Sequence, residues 1–262
     1  MGKAKGDRPL ILVSNDDGIH AKGLNELITV ARELGDVVVV APEKGESGMS
    51  HAISISVPLR VKRICNEDGL IKYSTTGTPV DCVKLAINQL LDRKPDIIFS
   101  GINHGSNASI STIYSGTMGA AVEGCLNGIS SAGFSLLNHS PDAEFSAMIP
   151  YVKKLAALIV KNGLPYGTCL NINFPDVAAE KLKGIRVCRM TKGVWKEEYD
   201  KRVDPHGKIY YWLTGFFNNF EEDADDTDER ALSDNYISVV PVSIDITSYK
   251  AIDLLKTQGY EI

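Results

Sequence analysis

Two adjacent carboxylates, Asp16 and Asp17, close an apolar run in Leu10-Ile11-Leu12-Val13-Ser14-Asn15-Asp16-Asp17-Gly18. Leu10 to Ser14 reads as a buried strand, and Gly18 permits a tight turn into a helix. In an open α/β sheet the carboxyl ends of the strands face the ligand crevice. Two carboxylates placed there repel each other unless a cation sits between them, and a hard divalent ion with oxygen ligands is the simplest such partner. A plainer reading competes with this one: Asp17 caps the next helix and Asp16 is solvated.

Further along the chain, Ser47 lies in the loop after Val40, and Asn103 follows a strand that starts at Asp96. In a parallel sheet these loops and Asp16-Asp17 face one crevice. Two carboxylates, a hydroxyl and an amide oxygen suit Mg²⁺ or Mn²⁺ and leave positions for water and a substrate oxygen. Tyr114-Ser115-Gly116-Thr117-Met118-Gly119-Ala120-Ala121 opens a helix with small residues and two hydroxyls. Such a helix end suits a phosphate, although Ser-Gly-Thr is also an ordinary cap. His51 follows the Ser47 loop and His104 adjoins Asn103; each either serves a phosphate or a ligand, or has no role. His20, His139 and His206 carry less weight. The acidic run from Glu221 to Glu229 reads as a solvated loop ending in a cap at Thr227 or Asp228, in preference to a second metal site.

The elements that must position these residues alternate. The 262 residues suffice for one α/β domain with an added arm, and 44% of them are hydrophobic. A helix spans about Ala21 to Leu34, with Gly35 suited to the C′ position. Val37-Val38-Val39-Val40 is a buried strand. Ile53 to Val57 alternates as a half-exposed strand would. Residues 59–73 read as short strands around Asn66-Glu67-Asp68-Gly69. Thr78-Pro79-Val80-Asp81 starts a helix through a capping box, with the helix reaching about Leu91. Strands at Asp96–Ser100, Ile129–Leu137 and Cys169–Phe174 alternate with helices at Ser115–Leu126 and Ala143–Val160. This pattern predicts a doubly wound, mainly parallel, Rossmann-like sheet.

From about Ile185 the chain turns aromatic, with Trp195, Tyr199, Tyr210, Tyr211, Trp212, Phe216, Phe217 and Phe220. Gly193 and Asp204-Pro205-His206-Gly207 mark hairpins. We read one domain over 1–262, with a core at about 8–184 and 236–262 and a C-terminal β-hairpin arm at about 185–235. Its exposed apolar surface is expected to make an oligomer contact, the other option being that the arm folds back on its own core.

The net charge of −5 disfavours a nucleic-acid polymer or an anionic membrane as partner. Five widely spaced cysteines without a Cys-x-x-Cys read as reduced thiols of a cytoplasmic protein. Met1 to Arg8 has neither the apolar core of a signal peptide nor a Ser or Thr at position 6 for myristoylation. Asn15-Asp16-Asp17-Gly18 is not the glycine fingerprint of a dinucleotide enzyme. The adjacency of the two aspartates also fails the spacing of a haloacid-dehalogenase type phosphatase.

Five segments occur in order: Val13 to Ile19, Ala41-Pro42 through Ser47 to His51, Thr76-Gly77-Thr78-Pro79, Ser100-Gly101-Ile102-Asn103, and Tyr114-Ser115-Gly116-Thr117. With Thr227-Asp228 and Tyr236 to Pro241, they make the chain resemble the SurE family over nearly its whole length. The resemblance implies a metal-dependent phosphomonoesterase that converts nucleoside monophosphates to nucleoside and phosphate. It implies 5′-nucleotidase activity, with 3′-phosphates and polyphosphate as further substrates to be expected. It implies metal ligands at Asp16, Asp17, Ser47 and Asn103, one Mg²⁺ or Mn²⁺ per subunit, and phosphate contacts from Asn107, Ser115, Gly116 and Thr117. It also implies a homodimer or homotetramer built through C-terminal elements. Either Asp16 or Asp17 orients an attacking water, or one of them attacks phosphorus directly. The chain departs from the family pattern at Glu46-Ser47-Gly48-Met49-Ser50, at Ala108 to Thr112 and in the acidity before Thr227. The non-enzymatic alternative is a nucleotide-binding stress-response module.

Overall fold

The computed structural model describes residues 8–196 and 198–260, so the first seven residues, read above as neither signal nor lipidation site, lie outside the described residues. In chain order the elements are β1 (Leu10–Ser14), α1 (Lys22–Leu34), β2 (Asp36–Pro42), β3 (Val61–Glu67), β4 (Leu70–Thr75), α2 (Pro79–Leu85), β5 (Ile97–His104), α3 (Ser111–Tyr114), α4 (Gly116–Leu126), β6 (Ser130–Leu136), α5 (Ile149–Asn162) and β7 (Thr168–Phe174). The last third adds β8 (Ile185–Val187), β9 (Gly193–Lys196), β10 (Tyr199–Val203), β11 (Ile209–Leu213), β12 (Phe216–Asn219), α6 (Asp228–Ser233), β13 (Ile237–Ser243) and α7 (Tyr249–Thr257).

One nine-stranded sheet runs β3-β4-β2-β1-β5-β6-β7-β13-β8. β4 through β7 are mutually parallel, while β3 is an antiparallel edge and β13 runs antiparallel to β7. Ile11, Leu12 and Val13 are all fully buried because β1 is covered on both faces. Ile11 and Val13 pack with Leu24 and Leu27 of α1 and Val152 of α5. Leu12 packs with Cys82 and Val83 of α2 and Ala120 of α4. The chain steps from β1 to β2 in one direction and returns to place β5 on the other side of β1. That reversal opens a crevice beyond the carboxyl ends of β1 and β5.

Several local expectations are corrected. Gly35 is not a left-handed cap: it is extended at φ −163°, and a Cβ there would lie 2.3 Å from the Pro9 carbonyl oxygen. Close approach of α1 to the lead-in of β1 accounts for the glycine. Ile53–Val57 is not a strand, and Ile55 is 83% exposed. Ser54 instead donates its N–H (3.0 Å) and hydroxyl (2.7 Å) to the Asp81 carboxylate, tying the segment to the start of α2. The Thr78–Asp81 capping box is present, but the α-helix ends at Leu85 and continues as a wide π turn to Leu90. Pro150 has no N–H to give, so α5 begins at Ile149 and the chain from Ala143 to Met148 turns without a helix. β5 runs past Ser100 to His104 through a register shift between Ser100 and Asn103.

The arm is a nested ribbon in which β9 pairs β12 and β10 pairs β11 around Asp204–Gly207. Ile185–Val187, expected in the arm, pairs instead with β13 in the central sheet. Trp195, Tyr199, Tyr211, Trp212, Phe216 and Phe220 remain exposed, and α7 buries none of its residues. All five cysteines are free thiols. No helix among the described residues is long and apolar enough to cross a membrane.

In α6, burial and the neighbouring Asp228 carboxylate push Glu229 up to about 7. The folded chain therefore holds a proton that the unfolded chain, with an ordinary glutamate near 4.5, has released. Between those two values folding takes up a proton, so the stability this group contributes is full below about pH 4.5 and is lost as pH rises through about 7. Partial solvent contact screens the cost of its charge. Glu229→Gln is expected to raise stability by about 1 kcal/mol at pH 8 and to change little at acid pH, read from urea midpoints at the two pH values.

Candidate functional site

Asp16 lies just beyond β1, only 4% exposed, and the N-terminus of α4 is packed onto its side chain. Gly116 makes that approach possible, since a Cβ on it would sit 2.8 Å from Asp16 Cβ and 3.0 Å from Oδ2. Thr117 donates its hydroxyl to Asp16 Oδ1 at 2.5 Å. Asp17 is half-buried and accepts the backbone N–H of His104 at 3.1 Å. Burial pushes Asp16 up to about 6, against the pull of Thr117 and with a further push from Asp17. Burial likewise raises Asp17, opposed by the His104 N–H and by the charges of His104 and His139.

The plain capping reading does not survive this geometry. α1 starts after Ala21 with no side-chain cap, and Asp16 is buried instead of solvated. The structure thus holds two neighbouring acids that burial makes reluctant to ionise. That pair suits a cation. Among the described residues no three His, Cys, Asp or Glu side chains are arranged to hold a metal ion by themselves, so neutral oxygens must complete any donor set.

Two residues with such oxygens, Ser47 and Asn103, are chain neighbours of groups bonded to the pair. The Glu43–His51 loop is pinned to the site by the Glu46 N–H, which donates to the Asp16 carbonyl at 2.7 Å; Ser47 follows directly and is exposed. Ser50 anchors the far side of that loop to Tyr114 and Ile113 carbonyls at 3.1 and 2.5 Å. Asn103, buried at the end of β5, gives its NH₂ to the Gly105 carbonyl at 2.9 Å, which leaves its amide oxygen for another partner. A hard divalent ion fits this all-oxygen set.

Ser115 caps α4, its Oγ accepting the Met118 N–H at 3.0 Å. The N–H groups of Gly116 and Thr117 belong to the first turn and have no acceptor within the helix. With the positive helix end, they are donors of the kind an anion takes up. Thr117 Oγ1 is committed to Asp16, and its backbone N–H also acts on that carboxylate. Asn107 is brought near but sits in a buried network: its N–H donates to Asn173 Oδ1 (2.8 Å) and its NH₂ to Ser135 Oγ (2.9 Å). It fixes the loop ahead of α3.

His104 donates Nδ1 toward the Ser140 carbonyl at 2.9 Å and sets its ring edge-on against Phe145. His51 is exposed, with Nδ1 3.1 Å from Ser50 Oγ. A cleft of about 480 Å³ beside Asp17 is lined by His20, Lys22, His104, His139 and Pro141. Sequence reasoning gave His20 and His139 little weight, because no spacing relates residues from three separate loops. The acidic run is not simply solvated either. Glu221 and Asp226 grip Arg189 at 2.7 and 2.8 Å, Thr227 caps α6, and Asp228 is fully buried.

Comparison with known proteins follows this geometry. The sequence model of the family described as "Survival protein SurE" matches residues 11–197. A 5′-nucleotidase SurE of Phocaeicola vulgatus is 48% identical over 258 residues, covering 98% of this chain and 100% of the relative. The protein of the same name from Flavobacterium psychrophilum is 53% identical over 249 residues, covering 95% and 96%. The crystal structure of a SurE protein from Aquifex aeolicus superposes with a TM-score of 0.82 at 35% identity, covering 95% of this chain and 99% of that one. The match of the family model over residues 11–197 and the identity to these full-length relatives make this chain a member of the SurE family.

Proposed function

We propose that the chain hydrolyses nucleoside 5′-monophosphates to nucleoside and inorganic phosphate, with one divalent cation, Mg²⁺ or Mn²⁺, held by Asp16, Asp17, Ser47 and Asn103. The observation that carries this reading is the contact of the α4 N-terminus with the buried Asp16 carboxyl, which brings an anion site and a cation site together. The names of the relatives, 5′-nucleotidase SurE, support the same activity. The open oxygen set disfavours a module that only binds nucleotide, because binding alone needs no exchangeable position beside a phosphate.

When bound, the cation would offset charge on the phosphoryl oxygens and favour deprotonation of water. The chain does the rest. The Gly116 and Thr117 N–H groups and the Ser115 hydroxyl would hold phosphoryl oxygens at the helix end. The backbone of His104 fixes the Asp17 carboxylate and the Thr117 hydroxyl fixes that of Asp16, so each carboxylate is held in one orientation. An oxygen so fixed can accept a proton from an attacking water. Direct attack by one of these aspartates is the competing route, and mass analysis of protein quenched during turnover would reveal it as a phosphoaspartate.

We place the protein in the cytoplasm on the strength of its five free thiols. We propose a homodimer or homotetramer assembled through the arm and α7. Their exposed aromatics and the outward Ile252, Leu254 and Leu255 support that assembly.

Asp16→Asn and Asp17→Asn should each abolish phosphate release from a nucleoside monophosphate at saturating Mn²⁺ while leaving thermal stability unchanged or higher, because like-charge repulsion is removed. Near-normal turnover in either variant would overturn the site. Ser115→Ala should weaken inorganic phosphate inhibition by roughly 1–3 kcal/mol, the scale of one hydrogen bond to a charged group. An unchanged inhibition constant would remove Ser115 from the anion site.

A further inference from the structure

Asp228 is fully buried, and it sits at the meeting point of three distant segments. Its Oδ2 accepts the Ser109 N–H at 2.7 Å. Its Oδ1 accepts the Thr191 N–H at 2.9 Å, the Thr191 hydroxyl at 2.6 Å and the Glu229 N–H at 2.9 Å. A buried carboxylate needs such donors to be tolerated. The tie is reciprocal, since Ser109 donates its own hydroxyl to the Thr191 carbonyl at 2.8 Å. Ser109 is also held at φ +52°, a left-handed backbone that a serine adopts only when its surroundings impose it.

What Ser109 controls lies immediately downstream. The Thr112 N–H donates to the Ser109 carbonyl at 3.1 Å, and the Thr112 hydroxyl donates to the Asn107 carbonyl at 2.9 Å. That single turn runs through α3 into Ser115, the cap of α4, and so to Gly116 against Asp16. The course of residues 109–114 therefore sets where the first N–H groups of α4 point.

We propose that Asp228 and Thr191 are positioning residues for the phosphate-binding end of α4, acting through Ser109 without touching substrate. This rests on the phosphate-binding reading of Ser115 to Thr117 above. Through Thr191 the same carboxylate joins the root of the aromatic arm to that segment, so the arm is anchored to the loop that leads into the site.

Thr191→Val removes the hydroxyl at nearly constant volume, and Thr191→Ser keeps it. Asp228→Asn turns one acceptor into a donor facing donors. Each variant is measured for KM and kcat on a nucleoside monophosphate, for inhibition by inorganic phosphate, for Mn²⁺ binding to the metal-free protein by calorimetry, and for Tm. Thr191→Val should raise KM and the phosphate inhibition constant by about tenfold, the scale of one charge-assisted hydrogen bond. Mn²⁺ affinity should stay within about twofold. Asp228→Asn should do at least as much, and Thr191→Ser should behave as the parent. Unchanged phosphate inhibition in Thr191→Val, equal impairment in Thr191→Ser, or a parallel loss of Mn²⁺ affinity would overturn the proposal. Ser115→Ala, run beside them, separates the two readings. An effect there with none from Thr191→Val sinks only the clamp. No effect in either sinks the phosphate site, and the clamp with it.

Discussion

The structure depends on the tolerance of a buried acid, Asp16, at the end of a strand covered on both faces. Burial alone disfavours its charge, and Asp17 beside it adds repulsion. Three features offset that cost: the Thr117 hydroxyl, the positive end of α4, and the cation proposed between the carboxylates. The first two are built into the fold. They are available only because residue 116 is glycine, which lets a helix end approach a carboxylate to van der Waals distance.

Most of the remaining architecture holds that helix end in place. α4 is narrow, rich in Gly and Ala, and packs closely on β6, where a Cβ on Gly124 would meet Ser131 Oγ at 2.4 Å. The Glu43–His51 loop is fastened on one side to the backbone of Asp16 and on the other to that of Tyr114. Asn107, Asn171, Asn173 and Ser135 form a buried amide network beneath the loop into α3. Such a network is stabilising only when its members are satisfied together, and that requirement makes the loop rigid. Asp228 closes the arrangement from the opposite side.

The sheet has two kinds of edge. β3 is a seven-residue antiparallel strand beside β4 whose register shifts between Arg63 and Cys65, and β8 is a three-residue strand beside β13. A bulged edge and a very short edge both limit unwanted strand pairing. The nested ribbon and α7 expose much of the chain's apolar surface, and Met49, Ile113 and Tyr114 expose more beside the crevice loops. Thr191 and Asp228 join the root of the ribbon to the segment that leads into α3.

The strands of the parallel core were legible because full burial writes continuous apolar runs, as in Leu10–Ser14 and Val37–Val40, and the capping box at Thr78 was legible because its chemistry is local. A parallel sheet was expected to bring the loops carrying the aspartate pair, Ser47 and Asn103 to one side, and the bonds from Glu46 to Asp16 and from His104 to Asp17 join those loops. Other features depended on contacts between distant residues. Ile53–Val57 alternates like a strand, yet Asp81 captures it. Gly35 suits a helix cap, yet Pro9 decides its shape. Asp228 reads as the capping end of a solvated acidic run, yet it is buried because Ser109 and Thr191, 119 and 37 residues away, converge on it. Sequence by itself determined the elements whose causes lie within a turn or a strand. The tertiary structure decided which polar groups are buried together, because the cost of burying a charge is settled only by the donors that distant segments bring to it.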